Sequence, residues 1–359
     1  MVARAISRKR AFSGIRPIDP LRDARGVVRL IEEAFGGELN PTAEKTLRDL
    51  RWLSRTAWLL GPFLWMTPFA ELLSGFVWVE GRRVVGNVTL TPSRGGGPGC
   101  WLVSNVVVDP AYRRRGIGRA LMEEVLAHVR SQNGRWIILQ VRADNQAAVH
   151  LYRTMGFVPA DTLLEMHLSK VEAKAESSLR PSLRRRGYDE WPQEYHLAQE
   201  ALPSAAQRMR PLDPSSFRVA WDERIFRLLR NWLGSVREHR LAVEEEGTLG
   251  ATLTVWAGRW RPYHRLEIMV HPDYRGRWEE GLVDQALAIL CRYPPHPAYI
   301  EVYAAHEDLA RALKERGFVT DRELVQMELE LTTAVKRIAW SVERITTTPP
   351  AQRPTLHEN

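Results

Sequence analysis

Cysteine, lysine and long apolar runs are all scarce in this chain. Of its 359 residues two are cysteines, Cys100 and Cys291. That is too few for a disulfide framework, and no CxxC or HExxH pattern offers a metal site. The greasiest stretch, WLLGPFLWMTPFA from Trp58 to Ala70, is broken by Gly61, Pro62 and Pro68 and is too short to span a bilayer. The basic opening MVARAISRKRAFSG lacks an apolar core and a cleavage site, so it does not read as a secretory signal. A cytoplasmic protein with no transmembrane segment is expected. Lysine supplies only six of the 51 basic residues, and the net charge of +8 is therefore an arginine charge. The arginines are spread along the chain and form no block or stripe beside a known nucleic-acid module, so no nucleic-acid partner is expected.

What is present is enough apolar residue, 44% against 26% charged, to fill two cores in a chain of two-domain length. It is also present twice. IRPIDP (15–20) matches MRPLDP (209–214), and VVGNVTL (84–90) resembles TLGATLTV (248–255). VVVDPAYRRR (106–115) matches IMVHPDYRGR (268–277), and MGFVPADTLLEMHL (155–168) matches RGFVTDRELVQMEL (316–329). Four matches in one order identify an internal duplication. The expected organisation is a disordered basic tail over 1–14, a first unit over 15–170 and a linker with a helix over 171–208. A second unit follows over 209–331, then a tail over 332–359. The linker turns from a charged, Ser/Ala-rich run into WPQEYHLAQEALP, a short helix that already belongs to the second unit.

Within the first unit the patterning alternates. Arg22–Phe35 reads as a helix with Asp19 or Asp23 placed to cap it. Phe76–Glu80 and Val84–Leu90 read as a hairpin, and Trp101–Val108 as a buried strand. Gly116–Arg130 reads as a helix, Trp136–Arg142 as a strand, and Gln146–Thr154 as a helix ended by Gly156, with two closing strands after it. The fold class is α/β, mixed α+β around one sheet in each unit.

A buried strand, a basic turn with glycines and a helix start can hold an anion. The first helical turn leaves N–H groups without partners and carries partial positive charge. Gly116 and Gly118 keep side chains out of the approach, while Arg113, Arg114, Arg115 and Arg119 add charge around it. Some 27 residues beyond Gly118 begins NQAAVHLYRTMGF (145–157). Together, Asp109-Pro-x-Tyr-Arg-Arg-Arg-Gly-x-Gly and Asn145-x-x-Ala-x-x-Leu-Tyr152-x-x-x-Gly-Phe157 resemble the GNAT superfamily of acetyl-CoA-dependent N-acetyltransferases.

That resemblance spans the first unit and implies two GNAT-like acyltransferase folds in tandem, with acetyl-CoA as cosubstrate and no metal. It implies a cofactor site of Val106, Val107, Val108, Arg113, Arg114, Arg115, Gly116, Ile117, Gly118, Arg119, Ala120, Asn145 and Tyr152. The diphosphate lies on the Arg/Gly turn and the pantetheine arm along Val106–Val108. Tyr152 stands near the thioester sulfur as the catalytic acid. Read alone, Tyr152 is a core aromatic on a helix, and Asn145 is equally a helix cap. No Glu or Asp stands on Trp101–Val108, and Ser104 and Asn105 are poor bases, so no general base is assigned.

The second copy loses these residues. Aligned at Tyr112 and Tyr274, Gly116 falls on Trp278, Gly118 on Glu280, Asn145 on His306 and Tyr152 on Leu313. An indole and two carboxylates replace an open anion site, so the second unit is expected to serve as a scaffold with some acceptor contact. The first unit carries about thirty extra residues, roughly Glu38–Gly75, holding Trp52, Trp58, Phe63, Trp65, Met66 and Phe69. They form either a roof over the acceptor or helices buried between the units; contact with a membrane surface is a third reading. A small-molecule amine is the expected acceptor. LQVRADNQAAVHLYRTMGF (139–157) also resembles the ribosomal-protein alanine acetyltransferases, which makes a protein N-terminus the rival, and a non-catalytic acyl-CoA sensor is the alternative outside enzymes. The expected assembly is a monomer with an internal pseudo-dimer, or a homodimer.

Overall fold

The computed structural model describes residues 12–35, 73–93, 97–171, 182–210, 212–218, 236–245 and 247–331. Most of the Trp-rich segment 38–75, residues 1–11 of the basic tail and the tail from 332 lie outside the described residues, while Ser13 and Gly14, expected in that tail, open a strand.

The first copy runs β1 (Ser13–Pro17), α1 (Pro20–Phe35), β2 (Gly75–Glu80), β3 (Arg83–Pro92), β4 (Cys100–Val108), α2 (Ile117–Ser131), β5 (Trp136–Arg142), α3 (Gln146–Thr154) and β6 (Val158–Leu168). After it come β7 (Leu183–Arg185), α4 (Trp191–Ala201), α5 (Ser204–Met209) and α6 (Pro214–Phe217). The second copy continues with β8 (Val236–Glu245), β9 (Thr248–Gly258), β10 (His264–Val270), α7 (Glu279–Leu290), β11 (Ala298–Tyr303), α8 (Glu307–Glu315) and β12 (Val319–Glu330). Asp19 caps α1, its carboxylate accepting from Leu21 N–H at 3.1 Å, while Asp23 is held by Arg16 at 2.5 Å.

All twelve strands join one sheet, in the order β1-β2-β3-β4-β5-β12-β6-β11-β10-β9-β8-β7. The two copies have exchanged their last strands. β12 lies against β5 of the first copy, from Leu324↔Arg142 to Glu330↔Trp136, and β6 lies against β11 of the second, from Ala298↔Leu168 to Tyr303↔Leu163. At the centre β6 and β12 pair antiparallel, with Leu324 opposite Leu163. These two leucines are each other's equivalents in the repeat, so the pseudo-twofold axis passes between them. The sequence predicts two closing strands in each copy. Each copy supplies one long strand, and its neighbour comes from the other half.

The exchange follows from side-chain alternation. On β6, Leu164 and Met166 enter the core under α7 and α8, and on β12, Met327 enters the core under α2 and α3. Each core is therefore finished by a strand from the other half. The apolar run of β5, with Ile137, Ile138, Leu139 and Val141 buried, suits a strand that is covered on both faces. Helix α2 presents Ile117, Leu121, Met122, Val125, Leu126 and Val129 at helical spacing to one face. Helix α1 packs on the opposite face against Val77, Val79, Val84 and Val107. Helix α4, from the expected linker, covers β9 and β10 on that same face through Leu197, Ala198 and Ala201.

A consequence is testable by denaturation. Met327 is 1% exposed and lies 170 or more residues from the first-copy residues of the core it joins. Met327→Ala is expected to cost about 2–5 kcal/mol of stability. Tryptophan fluorescence and circular dichroism should then lose both halves in one shifted transition; two separate transitions would contradict a shared core.

Candidate active site

Two strands that start parallel and then part make the cleft. β4 and β5 pair from Cys100↔Trp136 to Val103↔Leu139, and among the described residues no pair follows. On its other edge β4 stays paired to β3 through Val107 and Val108. The cause of the parting is a bulge. Between Asn87↔Val107 and Thr89↔Ser104 the β4 strand carries one extra residue, and Asn105 there adopts φ 50°. Asparagine tolerates that left-handed conformation better than most side chains. Fully buried Asn87 donates from Nδ2 to the Asn105 carbonyl at 2.9 Å, and Asn105 Nδ2 donates to Thr89 Oγ1 at 3.2 Å. This lock of Asn87, Thr89 and Asn105 was not assigned from sequence. Its signal was two amides inside otherwise apolar strands. The lock leaves the Val106–Val108 stretch splayed from β5, with edge groups available to an extended ligand.

Beyond β4 the chain makes a short 3₁₀ turn over Pro110–Tyr112. Asp109 organises it. Its carboxylate accepts from Ala111 N–H at 3.1 Å and from Arg83 at 2.8 Å, with Arg29 at 3.5 Å. Burial works against the Asp109 charge, but the Ala111 N–H and Arg83 outweigh it and hold the carboxyl below its ordinary value.

The basic turn then delivers Arg114 at φ 62° and Gly116 at φ 78°, and Gly116 caps α2 with no side chain of its own. Gly116 is thus required by backbone conformation as well as by ligand approach. Gly118 differs. A Cβ there would meet Leu151 at 3.6 Å and Val108 at 3.8 Å, ordinary contacts, so the fold does not need glycine at 118.

The arginines around the turn remain exposed. Arg113 Nε donates to the Val108 carbonyl at 3.2 Å, Arg115 stacks over Tyr112 at 4.9 Å, and Arg119 donates to Thr154 at 2.7 Å, tying α2 to α3. Ile117 is buried beneath the helix start, and Ala120 is half-buried one turn on. Asn145 caps α3, its Oδ1 accepting from Ala148 N–H at 3.2 Å. Tyr152 is 5% exposed and packs 5.8 Å from Phe157 in the first core. Burial pushes its phenol above the ordinary tyrosine value.

In the second copy the same turn is closed. Gly276, in the place of Arg114, keeps the left-handed backbone at φ 80°. Trp278 is 7% exposed, stacks 4.6 Å from Tyr274 and presses on Gly250, where a Cβ would come within 2.6 Å of the indole. Glu279, 3% exposed, turns its carboxylate onto the Trp278 N–H at 3.1 Å, so the chain supplies its own anion at this helix start. Glu280 pairs with Arg316 at 3.2 Å.

The registry of β9 and β10 runs unbroken from Arg265↔Trp256 to Val270↔Ala251, without the bulge of the first copy. A cavity of about 170 Å³ persists, lined by Val270, Arg275, Glu279, His306, Glu307 and Asp308. Its carboxylates would repel a diphosphate. Ala201, at the end of α4, closes its rim by accepting from Arg275 at 3.0 Å and facing His306 Nε2 at 2.9 Å. Burial, aided by Arg275, lowers His306 to about 4, so its ring is neutral near pH 7.

Known proteins share this arrangement. Residues 42–157 match the acetyltransferase (GNAT) family model. Over 148 residues the chain is 33% identical to a mycothiol acetyltransferase of Amycolatopsis mediterranei, covering 41% of this chain and 47% of that protein. Over 53 residues it is 43% identical to the ribosomal protein bS18 alanine N-acetyltransferase of Escherichia coli, 15% of this chain and 36% of that one. The chain therefore spans less than half the length of these curated relatives. Among solved structures, a GCN5-related N-acetyltransferase from Sphaerobacter thermophilus superposes with TM-score 0.58 at 17% identity, over 88% of this chain and 95% of that one. A tandem GNAT protein from the clavulanic acid biosynthesis pathway superposes with TM-score 0.51 at 19% identity, over 88% and 98%. The two superpositions carry the fold, a mixed α/β sheet, and the second carries it in tandem form.

Proposed function

We propose that the first half of this chain, whose residues 42–157 match the GNAT acetyltransferase family model, moves an acetyl group from acetyl-CoA to the primary amine of a small molecule. One observation carries the reading. A strand is pried open by a locked bulge beside a glycine turn in one copy, and the same place is filled by the chain's own indole and carboxylate in the other.

The first-copy residues fit the cosubstrate. The splayed Val106–Val108 edge suits an extended amide arm. Arg113–Ala120 with free helix N–H groups suits a diphosphate, and the amide nitrogen of Asn145 suits the arm where it enters. Acetyl-CoA supplies an activated acyl carbon; the amine nitrogen bonds to it as the carbon–sulfur bond breaks. Tyr152 stands on α3, next to the parted strands. Because burial keeps its hydroxyl protonated, its contribution is a hydrogen bond to the departing sulfur with the proton shared, rather than outright loss of the proton. The attacking nitrogen releases its proton to solvent water.

The second half completes the sheet and keeps the first core closed. The internal exchange provides the pairing that a partner subunit would otherwise bring, so the chain acts as a monomer in the cytoplasm. Among the described residues no helix is long and apolar enough to cross a membrane. The likeness to the bS18 enzyme covers 53 residues, and the family motif quoted from that stretch serves the cosubstrate, which any acceptor shares.

Free-thiol release from acetyl-CoA, followed with a panel of small amines and with alanine-started peptides, tests the proposal. Amine-dependent release with small amines is the expected outcome. Release with peptides alone would transfer the activity to protein N-termini. Cosubstrate binding with no release for any acceptor would leave a sensor.

A further inference from the structure

The face of the sheet that carries α1 and α4 is polar at its centre, where the exchanged strands lie. Thr162, Leu164 and Met166 of β6 point to the α7/α8 side or flank it, so Asp161, Leu163 and Glu165 stand on the opposite face. Three carboxylates on this face have arginine partners. Glu165 meets Arg322 at 2.5 Å, Glu301 meets Arg210 at 3.0 Å, and Glu328 meets Arg208 at 2.5 Å. Asp161 has none among the described residues. Its Oδ1 accepts from Thr162 N–H at 2.7 Å and the Ala305 N–H lies against the carboxylate, while Oδ2 is buried without a well-formed hydrogen bond.

Asp161 is not isolated. A second bulge, between Gln326↔Asp161 and Met327↔Pro159, sets its position. Beside it Gln326 is 2% exposed, and neither amide atom completes a well-formed hydrogen bond, though the Tyr303 hydroxyl lies against it. Gln326 in turn pairs with Gln140 of β5, one residue past the point where β4 and β5 part. A row Gln140–Gln326–Asp161 thus runs from the apex of the cleft across the strands the copies exchanged. From β5 to β6 is two strand spacings, roughly 10 Å.

Buried polar atoms left without partners ask for a ligand. A lone carboxylate at the end of an amide-lined row asks for a cation. Resting on the acetyl-transfer reading above, we propose that Asp161, with Gln326 and Tyr303 beside it, forms the far end of the acceptor site and selects an amine that carries a second ammonium group. The reacting nitrogen stands at the parted strands, and the second ammonium stands about 10 Å away, two strand spacings, on the Asp161 carboxylate. Gln326 and Tyr303 belong to the second copy, so the degenerate half supplies part of the specificity of the active one. Asp161 is a positioning residue and takes no part in breaking the thioester.

The test uses the full chain with acetyl-CoA, an α,ω-diaminoalkane series of increasing length and the matched monoamines, following thiol release. Diamines are expected to exceed monoamines in kcat/KM by roughly 10–100-fold, the usual worth of a charge-assisted hydrogen bond, with a peak at one chain length. In Asp161→Asn, an isosteric change, KM for the best diamine should rise by a similar factor with kcat falling far less, and the length peak should flatten; Asp161→Glu should restore part of it. Should Asp161→Asn fail to fold by thermal melting, the length dependence in the wild-type chain still decides. Equal use of monoamines and diamines, or an unaltered KM in a folded Asp161→Asn, overturns the Asp161 site while leaving amine acetylation standing. Turnover of no amine at all removes both.

Discussion

Gly118→Glu should abolish coenzyme A binding measured by calorimetry, while the protein melts at nearly its original temperature. Both parts follow from local geometry. A side chain at 118 meets only ordinary contacts with Leu151 and Val108, and the backbone there is helical, so the fold tolerates the change. The carboxylate, however, points where the diphosphate is expected. One like-charge contact near 4 Å costs roughly 4 kcal/mol at an effective dielectric of 20. That is about a thousandfold in affinity, before any steric loss. The reciprocal change, Glu280→Gly in the second copy, should create no binding, because Trp278 and Glu279 still fill that helix start. Retained binding in a folded Gly118→Glu would place the cosubstrate elsewhere, and loss of the melting transition would show that the fold itself needs glycine at 118.

Tyr152→Phe should lower kcat for amine acetylation by roughly a hundredfold or more, with the affinity for coenzyme A little changed. The ring keeps its packing against Phe157 and loses only the hydroxyl, so the two parameters separate a catalytic role from a structural one. A hydroxyl that merely fills the core would shift the melting temperature and leave kcat alone. The pH profile adds a second reading. Because burial raises the phenol, its protonated form persists through the range where an exposed tyrosine would ionise. Activity should therefore show no decline near pH 10 that disappears in Tyr152→Phe.

The local elements were readable because each rests on contiguous residues. The α2 stripe, the buried β4 and β5 runs and the Asn145 cap need only their own spacing, and the Trp278 block was visible from alignment of the two turns. Three features were not readable, each for a physical reason. The closing strands of the two copies have the same Gly-Phe start and the same alternation, with Gly156 at φ 92° and Gly317 at φ 88°. Either strand therefore satisfies either neighbour, and local pattern cannot say which. The β4 bulge depends on Asn87, eighteen residues from Asn105, and becomes visible only when the strands are in register. Glu279 read as a repelling charge. Its turn back onto the Trp278 N–H, which makes it an internal substitute for a ligand, is a matter of one rotamer.

Interleaved closing strands also decide when this protein can become functional during synthesis. β5 does not meet its final partner until residues 319–330 leave the ribosome, a wait of roughly 10–40 s at ordinary elongation rates. During that wait the edge of β5 is open to β6, which shares the alternation of β12, or to a neighbouring chain. A chain stopped before β12 lacks the strand that closes the first core.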